Sequence, residues 1–361
     1  MRGTMRGTVN DNEIYNVQYS KVMKTLMIAG PCAAESAQQV LTTAQQLAEE
    51  VATGGLTLDY FRAGVWKPRS HPDSFAGAGA EALTWLAEVQ HQYGFKVCTE
   101  VMTPQQVELC TRHGIDTIWI GARTAVNPTE VQLLADAVRN APFTVMVKNP
   151  LVPDLKLWAG NIERFLKADV AQVMAIHRGF ADSNENVYRN APCWEIPIDL
   201  KVRYPELPII CDPSHLCGDT RWIPQIAQLA LIYGFNGLML ECHCSPDRAL
   251  SDAAQQLTPQ QWAQLIRGLS FKNNVSDPEL VKQRALLENV DAQLSELLSK
   301  RMQIVDEIAH IKKKNNLPVV QPQQWQQVRE RYLKPGQDVQ YVEFIEQFLE
   351  ILHQNSIKRQ Q

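Results

Sequence analysis

Pro208-Ile-Ile-Cys-Asp-Pro-Ser-His215 is a short apolar run that ends on an acid, a proline turn and a histidine. The pattern recurs twice, far away in the chain. Leu26-Met-Ile-Ala-Gly-Pro-Cys32 ends on a thiol. Gly237-Leu-Met-Leu-Glu-Cys-His243 ends on a carboxylate and an imidazole, with Ser251-Asp252-Ala253 soon after. Apolar runs of this length between helical stretches read as strands buried on both faces. In a (β/α)8 barrel the C-terminal strand ends converge on one rim. Cys32, His215, Glu241 and Asp252 would then meet at one ion. A thiolate, an imidazole and two carboxylates suit a divalent metal: Mn2+ first, with Fe2+, Co2+ and Zn2+ also compatible.

Outward from these segments, residues 20–270 alternate strand-like and helical stretches. Strands are expected at Thr25–Ala29, Leu58–Phe61, Phe95–Cys98, Thr117–Ile120, Phe143–Val147, Val173–Ile176, Pro208–Cys211 and Gly237–Leu240. Helices fall between them, among them Ala37–Ala52, Ala80–Tyr93, Pro104–His113, Pro128–Arg139, Ile223–Tyr233 and Thr258–Leu269. This alternation fits an α/β TIM (β/α)8 barrel. The strand ends, or the residues just beyond, carry Arg62, Thr99-Glu100, Arg123, Lys148 and His177-Arg178 besides the candidate metal ligands. Another basic pair, Lys67-Pro-Arg69-Ser70, sits on a proline-stiffened turn. Cations set against apolar strand residues are costly unless an anion meets them, so they point to phosphate and carboxylate groups on a small substrate. His243 lies two residues from Glu241, on the same strand face, and is expected to support the metal or a substrate phosphate. Cys242 and Cys244 then face away as packing residues.

The chain has 361 residues, 45% of them apolar, and a formal net charge of −4. That length suggests two domains, and the charge favours neither nucleic acid nor a membrane surface. No apolar run reaches the roughly 20 residues of a membrane span, and the polar amino terminus lacks an export signal, so a cytoplasmic location is expected. Eight cysteines in so long a chain do not suggest a disulfide framework. Met1-Arg-Gly-Thr is repeated at once as Met5-Arg-Gly-Thr, which reads as a tag remnant or tail. The expected division is a tail at 1–20, a barrel at 21–270, a linker at 271–278 and an all-α domain at 279–361. About 20 residues precede the barrel, too few for a further regulatory domain there.

The barrel motifs belong together. Gly30-Pro-Cys32-Ala-Ala-Glu35-Ser36, Phe61-Arg62-Ala-Gly-Val-Trp-Lys67-Pro-Arg69-Ser70, Thr99-Glu100-Val-Met, Gly121-Ala-Arg123, Asp212-Pro-Ser-His215 and Glu241-Cys-His243 with Ala249-Leu-Ser-Asp252-Ala strongly resemble 3-deoxy-D-arabino-heptulosonate 7-phosphate (DAHP) synthase, of the variety shared with some 3-deoxy-octulosonate 8-phosphate synthases. The resemblance implies an aldol-like condensation of phosphoenolpyruvate (PEP) with erythrose 4-phosphate, releasing phosphate. It implies that Cys32, His215, Glu241 and Asp252 hold the metal. Arg123 and Lys148 would hold the PEP phosphate, and Arg62, Lys67 and Arg178 its carboxylate end. Arg69 and Ser70 would hold the sugar phosphate, with Glu100 a candidate base for the water. The chain departs from the family after Lys148, where Asn149-Pro150 leads into Leu151-Val-Pro-Asp154.

Beyond the linker, where Asp277 reads as a helix N-cap before Pro278, the sequence is helical throughout. A long helix is expected from about Glu279 to Asn315, then shorter ones at Gln323–Leu333 and Val339–Lys358. The long helix carries an apolar stripe at Leu280, Leu287, Val290, Leu294, Leu297, Ile304, Ile308 and Ile311. Arg284 and Arg301 interrupt it, 17 residues or about 26 Å apart. One small ligand cannot touch both on one chain, but an antiparallel homodimer brings Arg284 of one copy beside Arg301 of the other. Leu280, Arg284, Asp291, Leu298, Lys300-Arg301, Lys312, Pro318-Val319 and Ser356–Gln360 resemble the all-helical chorismate mutases. That resemblance implies rearrangement of chorismate to prephenate without a metal. Arg301 and the second copy's Arg284 would bind the carboxylates, Lys312 and Gln360 the ether oxygen, and Ser356 the substrate. Where the family commonly shows an acid and an Arg-Glu pair, this chain has Gln321, Gln324 and Trp325; Arg329 is a candidate substitute cation.

The combined expectation is a bifunctional enzyme of aromatic amino-acid biosynthesis in which the tail senses chorismate or prephenate and slows the barrel. Two alternatives stand beside it: an octulosonate-phosphate synthase barrel, and a catalytically weak tail serving dimerisation and ligand binding.

Overall fold

A computed structural model describes residues 25–69, 71–182, 187–271, 278–320, 322–332 and 339–360. Ser70, Asp277 and Gln321, the tail at 1–20 and most of the expected linker lie outside the described residues. Eight parallel strands, β1 (Leu26–Gly30), β2 (Tyr60–Arg62), β3 (Lys96–Val101), β4 (Thr117–Ile120), β5 (Thr144–Lys148), β6 (Gln172–His177), β7 (Ile209–Cys211) and β8 (Gly237–Glu241), close into a barrel in sequence order. Helices α1 (Ala37–Gly54), α2 (Glu81–Tyr93), α3 (Pro104–Arg112), α4 (Pro128–Ala137), α5 (Leu155–Leu166) and α6 (Glu195–Arg203) alternate with them. They are followed by the short α7 (Pro213–Cys217), α8 (Ile223–Ile232) and α9 (Pro259–Gly268).

Two apolar layers hold the barrel. Inside it, Ile28, Tyr60, Cys98, Trp119, Met146, Met174, Ile176, Ile210 and Met239 fill the interior below the rim. Outside it, a larger cluster joins the other strand faces to the helices, with Trp158, Phe165 and Trp262 fully buried. Each large side chain removed from water stabilises the fold by roughly 2–3 kcal/mol. Most helix starts are set locally. The Ser36, Thr103, Asn127, Asp154 and Asp212 side chains accept backbone N–H bonds at their N-termini, and Thr258 with Gln261 forms a reciprocal capping box. Proline sits in the first turn of α3, α4, α7 and α9, where its missing N–H costs nothing.

Strand positions differ from expectation in an informative direction. β2 begins at Tyr60 rather than Leu58, and β2, β3, β5 and β8 run one to three residues further toward the rim. Arg62, Glu100, Lys148 and Glu241 are therefore strand residues with fixed directions, not loop residues just beyond. The rest of the chain is helical: α10 (Pro278–Lys314), α11 (Pro322–Tyr332) and α12 (Val339–Gln360). The chain divides into two compact units, 1–286 and 287–361. Among the described residues no helix is long and apolar enough to cross a membrane.

Candidate active sites in the barrel and the helical tail

At the rim, Gly30 of β1 lies in register with Glu241 of β8, and Cys211 of β7 with Leu238. Gly30 is required here. A Cβ at this residue would sit 2.1 Å from the Arg62 carbonyl oxygen, so only glycine lets β1 carry Cys32 so close to β2. Asp212 caps α7 by accepting the His215 N–H at 3.1 Å, which turns the imidazole inward. Asp252 takes a left-handed conformation, φ 52°, in the loop after β8. The result is that one donor atom each from Cys32, His215, Glu241 and Asp252 lies within 4.8 Å of all the others. Bonds of about 2.0–2.3 Å put opposite ligands of one ion up to about 4.6 Å apart, so the four fit one transition-metal ion with a shift of tenths of an ångström. Their chemistry fits too. Burial holds His215 neutral against the pull of Asp212 and Glu241. Burial opposes ionisation of Asp252, yet the Arg189 guanidinium, which donates to it, holds its carboxyl well below the usual range. Burial, with Glu241 beside it, pushes the Cys32 thiol up to about 12, so without an ion the sulfur keeps its proton.

The cations surround this cluster. Arg62 is fully buried and donates through Nη2 to Glu241 Oε1 at 3.1 Å, while its Nε and Nη1 have no hydrogen-bond partner. Lys67 Nζ donates to Cys32 Sγ at 3.0 Å and to the Cys32 carbonyl at 3.1 Å. Lys148 Nζ donates to Asp212 Oδ2 at 2.8 Å. Arg178 Nη1 donates to Asn190 Oδ1 at 2.7 Å; burial, reinforced by nearby arginines, pushes its pKa down to about 10. Arg69 donates to the Ser251 hydroxyl and to the Phe75 carbonyl, and its Nη1 lies 3.8 Å from Asp252. Arg123 is exposed, beside the single turn Thr124–Val126. Glu100 is buried and accepts the Trp119 indole N–H at 3.1 Å.

Arg189 and Gln255 were not singled out from sequence, whereas Asp212 was named as a polar strand-end residue. Arg189 Nη1 donates to Asp252 Oδ1 at 2.8 Å and to Gln255 Oε1 at 2.9 Å, and Gln255 in turn donates to Glu241 Oε2 at 2.7 Å. Asp212 holds both Lys148 and His215, its Oδ2 lying 2.8 Å from each. Nothing in the spacing of Arg189 marks it, since it lies 63 residues from Asp252. His243 Nδ1 accepts the Ser245 N–H at 2.8 Å and its Nε2 faces Glu35 at 3.6 Å, while Cys242 still bridges Leu257 beyond the end of β8. Cys242 is packed in the outer core as expected.

In the tail, four of the five expected residues meet in two pairs. Arg301 Nη1 donates to Ser356 Oγ at 2.8 Å, and Lys312 Nζ to Gln360 Oε1 at 3.1 Å and to the Val319 carbonyl at 2.7 Å. Burial lowers the Arg301 pKa. Trp325 stacks on His353, centroids 4.0 Å apart. Arg284 is exposed. Arg329 is also exposed and pairs with Glu346.

Comparison with known proteins gives these sites a context. The model of the DAHP synthetase I family matches residues 9–272, and that of chorismate mutase type II matches residues 283–361. The chain is 29% identical over 242 residues to phospho-2-dehydro-3-deoxyheptonate aldolase of Thermotoga maritima, covering 67% of this chain and 68% of that one. It is 28% identical over 258 residues to 2-dehydro-3-deoxyphosphooctonate aldolase of Alkalilimnicola ehrlichii, covering 67% and 88%. A crystal structure of the Thermotoga maritima DAHP synthase superposes with a TM-score of 0.59 at 26% identity, covering 67% of each chain.

Proposed function

This chain belongs to the DAHP synthetase I family, and from that premise we propose how its two sites work. It is a bifunctional enzyme, an aldol-type DAHP synthase in the barrel with a chorismate mutase in the helical tail, and so serves the shikimate pathway. The domain limits proposed for these two activities are 21–270 and 279–361, joined at 271–278.

In the barrel, we assign Cys32, His215, Glu241 and Asp252 to a divalent metal, Mn2+ by preference, which when bound supplies Lewis-acid polarisation of the aldehyde oxygen. The protein's own residues fix the other reactant. Arg62 offers Nε and Nη1 to the PEP carboxylate, with Lys67 and Arg178 beside it. Lys148 and Arg123 take the PEP phosphate, and Arg69 and Ser70 the phosphate of erythrose 4-phosphate. So held, the PEP methylene carbon bonds to the aldehyde carbon, water adds to the neighbouring PEP carbon, and inorganic phosphate leaves. Glu100 is the carboxylate placed to take the proton of that water. The observation that carries this reading is Arg62: a fully buried guanidinium with two orphan donors beside four convergent metal ligands implies an anionic ligand. Phosphate release, measured with erythrose 4-phosphate and separately with arabinose 5-phosphate, tests it. Release with the first sugar supports the reading; release only with the second favours the octulosonate relatives.

In the tail, Arg301, Lys312, Ser356 and Gln360 bind chorismate, completed by Arg284 of a second copy. The apolar stripe supports a homodimer: Leu287, Val290, Leu297 and Ile311 are all more than half exposed on one chain. Ligand in the tail slows the barrel, which a prephenate titration of synthase activity tests. The enzyme acts in the cytoplasm. With Trp325 and two glutamines in place of an acid and an Arg-Glu pair, mutase turnover is weaker than binding.

A further inference from the structure

Trp119 is a tryptophan in the wrong company for a core residue. It is fully buried in β4, and its interior neighbours Met146, Met174 and Ile176 are apolar. Yet two buried cations lie over its ring: the Arg62 Cζ at 4.8 Å from the ring centroid and the Lys148 Nζ at 5.7 Å. Its indole N–H, at the ring edge, donates to Glu100 Oε2 at 3.1 Å. The space for that carboxylate exists because residue 121 is glycine; a Cβ there would lie 2.0 Å from Glu100 Oε1. One side chain therefore touches three groups, from β2, β3 and β5.

An aromatic face does something a carboxylate cannot do here. It attracts both cations through the ring quadrupole without accepting their hydrogen bonds. Arg62 Nε and Nη1 are buried and have no hydrogen-bond partner. A carboxylate in that place would neutralise the pair and compete with an anionic ligand for the same donors. A smaller apolar residue would leave two like charges in the low-dielectric interior with less to hold them.

We propose that Trp119 is a positioning residue of the synthase site, a platform that sets Arg62 and Lys148 for PEP through its ring face and Glu100 through its N–H. The inference rests on the PEP assignment above. The two functions of the indole separate by substitution. Trp119→Gln keeps an N–H for Glu100 and loses the ring; Trp119→Phe keeps a ring and loses the N–H.

Kinetics of the full chain with Mn2+ restored test it. Trp119→Gln raises the KM for PEP roughly tenfold, leaves the KM for erythrose 4-phosphate within about twofold, and changes kcat less than the KM for PEP. Trp119→Phe keeps the KM for PEP within about threefold and lowers kcat instead. PEP also perturbs the indole absorbance of the unsubstituted protein, and Trp119→Phe removes that difference signal; this readout survives if the Gln variant does not fold. Equal effects of both variants on both constants, or a PEP-induced indole signal unchanged in Trp119→Phe, overturn the platform. If the unsubstituted protein gives no PEP binding by calorimetry, the PEP assignment itself is what has failed.

Discussion

Substituting His177 by phenylalanine removes a specific acid sensitivity of the barrel. His177 is the last residue of β6, fully buried and turned toward the helices. Its ring centroid lies 5.2 Å from that of Trp194, 5.8 Å from Phe180, 6.1 Å from Phe235 and 6.4 Å from Trp158, and neither ring nitrogen has a well-formed hydrogen bond. Burial, with the Arg178 charge adjacent, pushes its pKa down to about 3. In the unfolded chain it titrates near 6.5. Its folded-state pKa is depressed, so the unfolded state binds the extra proton. Stability is present above pH 6.5 and is lost as pH falls toward 3. At 1.36 kcal/mol per unit, lowering the pH from 7 to 5 costs about 2 kcal/mol from this residue alone. His177→Phe fills the same aromatic box and removes that dependence. Urea unfolding followed by tryptophan fluorescence, which Trp158 and Trp194 report locally, measures it. The unsubstituted protein loses about 2 kcal/mol more than the variant between pH 7 and 5. Parallel losses in the two proteins would refute the argument that a buried neutral imidazole is at work.

Three further outcomes follow from single contacts. Gly121→Ala drives a Cβ into Glu100 and should lower synthase kcat at least tenfold in a folded barrel, by steady-state assay. Ser356→Ala removes the acceptor 2.8 Å from Arg301 Nη1 and is expected to reduce chorismate kcat/KM about fivefold, roughly 1 kcal/mol, with synthase activity unchanged when no tail ligand is present. Leu297→Asp places a charge on the exposed stripe; sedimentation should show a monomer and loss of chorismate turnover, since Arg284 of the second copy is then absent.

Much of this was legible because buried parallel strands are near-continuous apolar runs, which frame any polar residue at their ends. Cys32, His215, Glu241 and Asp252 were readable together for that reason, and the structure brings all four within reach of one ion. The short α7 was harder to read: Asp212 and Pro213 look like a turn, and only the cap bond to the His215 N–H shows that a helix starts there. Sequence placed the polar rim residues just past the strands, whereas pairing with neighbours carries β5 through Lys148 and β8 through Glu241. Arg189 and Trp119 had no local signal. One looked like a loop cation and the other like a core residue, and their roles come from partners on other strands and loops. In the tail the helices were plain from composition, and the exposure of Leu287 through Ile311 shows why a stripe so regular does not pack within one chain.

The most direct test of the central claim is PEP consumption, followed by its ultraviolet absorbance on adding erythrose 4-phosphate to chelator-treated protein, before and after Mn2+ is restored. The account predicts no loss of absorbance in the stripped protein and rapid loss once the ion returns, with Cys32→Ser and His215→Ala failing to recover. Undiminished consumption after stripping would contradict the four-residue metal site. No consumption in folded, metal-restored protein would contradict the synthase assignment of Arg62, Lys67 and Lys148.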